Sequence, residues 1–158
     1  MTIDDACDEI LFWMFEEGRL GRKSKSGFYA YDEKGKRQGL WDGLAAKYPA
    51  ASEQPSLHEV QHRLMFAQVL EAVRALEEGV LEDIREGDVG AILGWGFAPW
   101  SGGPFSWLDI VGAEWAAETC DALTEAHGAR FTTPALLRDM AAKGQEFYKR
   151  FGPQAVAA

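Results

Sequence analysis

One unbroken helical pattern, Ser56 to Glu78, does most to limit what this chain can fold into. Ser56 and Glu59 form a capping box, in which each side chain satisfies a backbone N–H that the helix start leaves unpaired. Leu57, Val60, Leu64, Ala67, Leu70, Val73 and Leu76 recur on one face, and Met65 and Val69 widen it. A helix with so broad an apolar face is stable only when other elements cover it from two sides. Gly79 ends the pattern.

The covering elements are also legible. Glu82–Leu93 reads as a second helix with Ile84, Val89, Ile92 and Leu93 inward, and Pro104 opens a third that runs to Val111. Ala113–His127 is a fourth, and a fifth reaches Lys143 with Thr133 as its cap and Pro134 at its first position. Between the second and third lies Gly94 to Pro104, where four glycines and two prolines in eleven residues impose turns. Gly94, Gly96, Phe97, Pro99, Gly102, Gly103 and Pro104 read as a structural loop whose aromatic residues pack inward.

N-terminal to the long helix the pattern changes. Ile3–Glu17 reads as a helix with acidic residues at its positive end. A basic loop follows, then Phe28–Tyr31 and Leu40–Trp41 flank Asp32-Glu33-Lys34-Gly35 as a two-stranded hairpin. The resulting expectation is an all-α chain with a small N-terminal β-hairpin. Residues 1–48 form a first piece, 49–55 a linker, 56–152 a helical domain, and the tail beyond Gly152 frays.

Charge excludes some partners. The net charge of −9 argues against general nucleic-acid binding, yet residues 19–37 hold seven basic against two acidic side chains. There Arg22, Lys23 and Lys25, with Ser24, Ser26 and Gly27, could receive a phosphate through side chains and successive backbone N–H groups. No apolar run is long enough to span a membrane. The N-terminus lacks a signal peptide's order of charge, which reads as cytoplasmic. Cys7 and Cys120 stand far apart and read as reduced thiols.

His58-Glu59-Val60-Gln61-His62 matches H-E-x-x-H, two zinc ligands one turn apart around a glutamate that activates water. The extended form of that motif fails, since Met65 and Gln68 stand where Gly and His belong. A zinc hydrolase built on His58, Glu59 and His62 is therefore the alternative to a solvated helix face. No Ser/His/Asp set and no paired carboxylates stand out.

Several stretches together resemble the 3-hydroxyacyl-CoA dehydrogenases. Gly18-Arg19-Leu20-Gly21-Arg22-Lys23-Ser24-Lys25-Ser26-Gly27-Phe28-Tyr29-Ala30-Tyr31 is similar to that family's G-R-x-G-x-K-x-G-x-G-F-Y-x-Y segment, although Ser26 departs from it. Glu71 to Val80 resembles E-A-x-R-x-L-E-E-G-[IV]. Asp88, Gly94–Phe97, Gly102-Gly103-Pro104, Leu108-Asp109 and Gly112 follow the order of its D…G-x-G-F-P…G-G-P…D…G run. The likeness is to the C-terminal helical domain, of the type fused in the multifunctional fatty-acid oxidation alpha subunit.

The resemblance implies a helical bundle of the 6-phosphogluconate dehydrogenase C-terminal-like type. It implies a module with no catalytic residue and no cofactor of its own, because NAD and the catalytic His–Glu pair belong to a Rossmann domain absent from this chain. Partners would be that NAD-binding domain, an acyl-CoA thioester whose CoA phosphates lie near Arg22, Lys23 and Lys25, and a thiolase subunit of a β-oxidation complex. In the family's N-R-L pattern His62 takes the Asn position, so His62-Arg63-Leu64 departs there. A stand-alone helical interaction scaffold is the remaining reading.

Overall fold

The computed structural model describes residues 6–153, with side chains from Asp8 onward. The expected helix start at Ile3 and the tail beyond Pro153 lie outside the described residues. Eight α-helices and one two-stranded antiparallel hairpin make the described chain all-α with an N-terminal hairpin. It divides into two compact units, Met1–Gln54 and Pro55–Ala158.

The first unit contains α1 (Ala6–Glu16), β1 (Tyr29–Tyr31), β2 (Arg37–Leu40) and α2 (Asp42–Lys47). The strands pair Tyr29 with Leu40 and Tyr31 with Arg37. The Asp32 carboxylate closes their turn by accepting from the Lys36 amide at 2.9 Å. With few buried apolar side chains, this unit is held by aromatic and cationic contacts. Trp13 stacks on Trp41 at 5.3 Å, and the Arg19 guanidinium lies 4.1 Å from the Trp41 ring while its Nε donates to the Gly27 carbonyl at 2.8 Å. Helix α2 was not expected. Its Gly43 is dictated by Trp41, whose ring would lie 2.2 Å from a Cβ there.

The second unit contains α3 (Leu57–Glu77), α4 (Ile84–Trp95), α5 (Pro104–Val111), α6 (Ala113–His127), α7 (Ala135–Lys143) and α8 (Phe147–Phe151). Helix α5 is central and packs against α3, α4, α6 and α8. Its Phe105, Trp107 and Leu108 meet Phe66, Val69, Leu70 and Val73 of α3, Ile84 and Ala91 of α4, and Phe147 of α8 in one core. Ser56 caps α3, accepting from the Glu59 amide at 3.1 Å, but the reciprocal half of the expected box is not formed, because the Glu59 carboxylate turns to His127.

Three expectations are corrected. The buried stripe of α3 runs through Phe66, Val69, Leu70 and Val73, leaving Leu57 and Leu64 exposed. Both stripes are apolar, and only the one that α5 covers is buried. In α4 the buried stripe is Ile84, Asp88 and Ala91, while Val89 and Leu93 face outward. The cap of α7 is not Thr133, whose hydroxyl donates to Asp121 Oδ1 at 3.0 Å; the Leu136 amide instead donates to Glu77 Oε1 at 2.8 Å. Helix α8 was not foreseen.

Candidate functional site

A buried polar cluster of the second unit is built around Asp88, only 2% exposed in a stripe otherwise apolar. Helix α5 begins after Gly103, which has no side chain to cap it. Asp88 does so from another helix. Its Oδ1 accepts from the Phe105 amide at 2.7 Å, and its Oδ2 accepts from the Ser106 amide at 3.0 Å and the Ser106 hydroxyl at 2.6 Å. A carboxylate there satisfies unpaired donors and faces the positive end of the helix dipole. The Tyr148 hydroxyl donates to Oδ2 at 2.9 Å, the fourth hydrogen bond to this carboxylate. Burial, then this bond, raise the Tyr148 phenol above its usual range.

Asp109 does for α8 what Asp88 does for α5. Its carboxylate accepts from the amides of Phe147 at 2.6 Å and Tyr148 at 2.9 Å. Burial raises its carboxyl above the usual range, and the two amides work against that rise. Asp109 stands 38 residues from Phe147, so no local spacing reveals this cap.

The loop before α5 serves the same geometry. Gly96 ends α4 in the left-handed region, Pro99 opens a 3₁₀ turn, and Gly102 closes it at φ 80°. Gly103 sits at φ 116°, and a Cβ there would lie 2.4 Å from Asp88 Cβ, so only glycine lets the two segments meet. Phe97 and Pro104 are buried and Gly94 is exposed. The expectation that the loop's aromatic residues pack inward fails for its tryptophans. Trp95 is 62% and Trp100 77% exposed, with Trp95 Nε1 donating to Gln68 Oε1 at 3.1 Å. Leu93, 81% exposed, is a third outward apolar side chain in this stretch.

In the first unit, Arg22–Ser24 form a 3₁₀ turn closed by Lys25 at φ 56°. The amides of Ser24 and Ser26 donate to the Gly21 carbonyl and that of Lys25 to the Arg22 carbonyl. They point into the loop, so the expected row of phosphate-facing N–H groups is not formed there. Lys25 Nζ donates to the Glu33 carbonyl at 3.0 Å, and Lys23 is exposed. Arg22 lines a shallow groove of about 360 Å³ with Tyr31, Lys36 and Arg37. Lys36 and Arg37 therefore join Arg22 where Lys23 and Lys25 do not. Their clustering follows from the hairpin register, which the sequence does not spell out.

His58 and His62 lie one turn apart with ring centroids 3.9 Å from each other. Glu59 Oε1 is 3.3 Å from His127 Nε2 and 4.0 Å from Arg63, which turns it away from the role of general base. Among the described residues no group of three or more His, Cys, Asp or Glu side chains is placed to hold a metal ion. A catalytic zinc needs three protein ligands, and the described residues set no third ligand beside His58 and His62. The Gly94–Gly103 loop follows a helix and not a strand, so it is not the strand–turn–helix phosphate fingerprint.

No described helix is long and apolar enough to cross a membrane. No family model matches the chain. The chain is 37% identical over 139 residues, 85% of its length, to fatty acid oxidation complex subunit alpha of Shewanella amazonensis. The matched stretch is 19% of that protein's length.

Proposed function

From the chain's kinship with a C-terminal piece of fatty acid oxidation complex subunit alpha, we propose that it is the helical module of a 3-hydroxyacyl-CoA dehydrogenase of fatty-acid β-oxidation. In this reading it supplies no group to the reacting atoms. It packs against an NAD-binding domain and completes the acyl-CoA cleft or the interface between subunits. The nicotinamide cofactor is held by that other domain, and a thiolase subunit is a further partner.

The observation that carries this reading is the fate of the motif residues. Asp88, Gly103, Pro104 and Asp109 are all engaged in seating α5 and α8, the two carboxylates accepting the amides that open those helices. A catalytic centre keeps its acid, base or nucleophile facing substrate. This chain instead turns Leu93, Trp95 and Trp100 outward, and α1 turns out Leu11, Phe12 and Phe15. Their exposure suits a module that docks on another domain, where a contiguous apolar patch would be covered. Arg22, Lys23 and Lys25 remain the candidates for the CoA phosphates, and the Arg22 groove with Lys36 and Arg37 favours Arg22 among them.

Light scattering of the chain mixed with the NAD-binding domain of the related alpha subunit tests the packing role. A stoichiometric complex that Trp100→Glu weakens is expected. Two species that never associate would overturn it.

A further inference from the structure

The chain has three histidines, and the fold gathers all of them at one place. His58, His62 and His127 line a groove of about 390 Å³ formed by the first turns of α3 and the last turns of α6, with Glu59 and Thr119 beside them. The His62 and His127 rings rest edge-on against Phe66 and Phe131 of the core, and the proposed dehydrogenase role does not use their nitrogens.

His58 and His62 are spaced i and i+4, so a rigid 21-residue helix holds both imidazoles on one face. Their ring centroids are 3.9 Å apart. The His62 ring is held edge-on by Trp115 at 5.3 Å, which limits its rotation. Two imidazoles so placed suit a divalent ion of borderline softness, such as zinc, nickel or copper(II), and not magnesium or calcium, which prefer oxygen. Glu59 is drawn toward His127 and Arg63, so it neither blocks the pair nor polarises a water between them.

We propose that His58 and His62 chelate one zinc-type divalent cation across the first turn of α3, with water completing its coordination. With two protein ligands the site binds without hydrolytic chemistry. Its role is to staple the first two turns of α3, since both ligands stand on that helix. It stands independently of the dehydrogenase reading.

Titration calorimetry of the full chain, free of any polyhistidine tag, with zinc chloride and with magnesium chloride tests this. One equivalent of zinc is expected to bind with micromolar affinity, magnesium not at all. His58→Ala, at an exposed position, and His62→Gln should each weaken zinc by about tenfold or more, while His127→Ala leaves it unchanged. Zinc should also raise the melting temperature of the unaltered chain and not that of His58→Ala. Absence of saturable zinc binding, binding that survives both His58→Ala and His62→Gln, or equal affinity for magnesium would each overturn the site.

Discussion

The Tyr148 hydroxyl donates to Asp88 Oδ2 at 2.9 Å across 60 residues of sequence, tying α8 to α4 at the point where α5 begins. Asp88, itself in α4, is thus the common acceptor for α5 and α8. Replacing it with Ala strands the amides of Phe105 and Ser106 as well as the phenol. Asp88→Ala is expected to lower unfolding free energy by roughly 3 kcal/mol or more, and Tyr148→Phe by about 1.5–3 kcal/mol. The double variant should lose less than the sum, because both changes remove the same bond. Urea denaturation followed by circular dichroism measures all three.

Gly103 and Gly90 separate close approach from ordinary helix propensity. A Cβ at Gly103 meets Asp88 at 2.4 Å and also requires φ 116°, whereas one at Gly90, within α4, meets nothing within 4 Å. Gly103→Ala should therefore destabilise by about 3 kcal/mol or more. Gly90→Ala should stabilise by about 0.5–1 kcal/mol. Opposite shifts in melting temperature are the expected result.

The acid limb of stability has named sources. Hydrogen bonds from Arg85 hold Asp83 down to about 2, from the ordinary 3.8. Arg138 lowers Asp121, and Lys143 with Arg150 lowers Asp139. A carboxyl depressed in the folded state contributes stability that is fully present above its ordinary value and is lost as pH falls through the folded one. Helical signal should therefore hold to about pH 4 and fall toward about pH 2. All four ion pairs lie at the surface, so added salt should shrink the effect.

Cys120 should be inert in the folded chain. It is fully buried in the core beside Leu123 and Ala116, and burial pushes its thiol up to about 12. In a Cys7→Ser background, a maleimide reagent should label Cys120 only as fast as the second unit opens, and denaturant should make labelling immediate.

Much of this architecture can be read from residues alone, and the rest fails for identifiable reasons. The Ser56 cap, the hairpin turn and the limits of α5 and α6 are set by local chemistry that near neighbours decide. Which stripe of α3 is buried is not local. Leu57 and Leu64 are as apolar as Val69 and Val73, and only the position of α5 distinguishes them. In α4 the polar Asp88 takes a core position because the α5 amides need it, which rotates Val89 and Leu93 outward. Helix α8 is five residues long, too short for periodicity, and is started by the distant Asp109. Arg22, Lys23 and Lys25 are adjacent in sequence, yet the groove pairs Arg22 with Lys36 and Arg37 across the hairpin.

The central claim is that this chain builds part of an acyl-CoA enzyme while leaving the chemistry to another domain. Its most direct test is NADH formation from a 3-hydroxyacyl-CoA by the purified chain, alone and together with the NAD-binding domain of the related alpha subunit. The account predicts no NADH from the chain alone at any concentration of cofactor, and turnover only when the other domain is present. Sustained NADH production by the chain alone would contradict it.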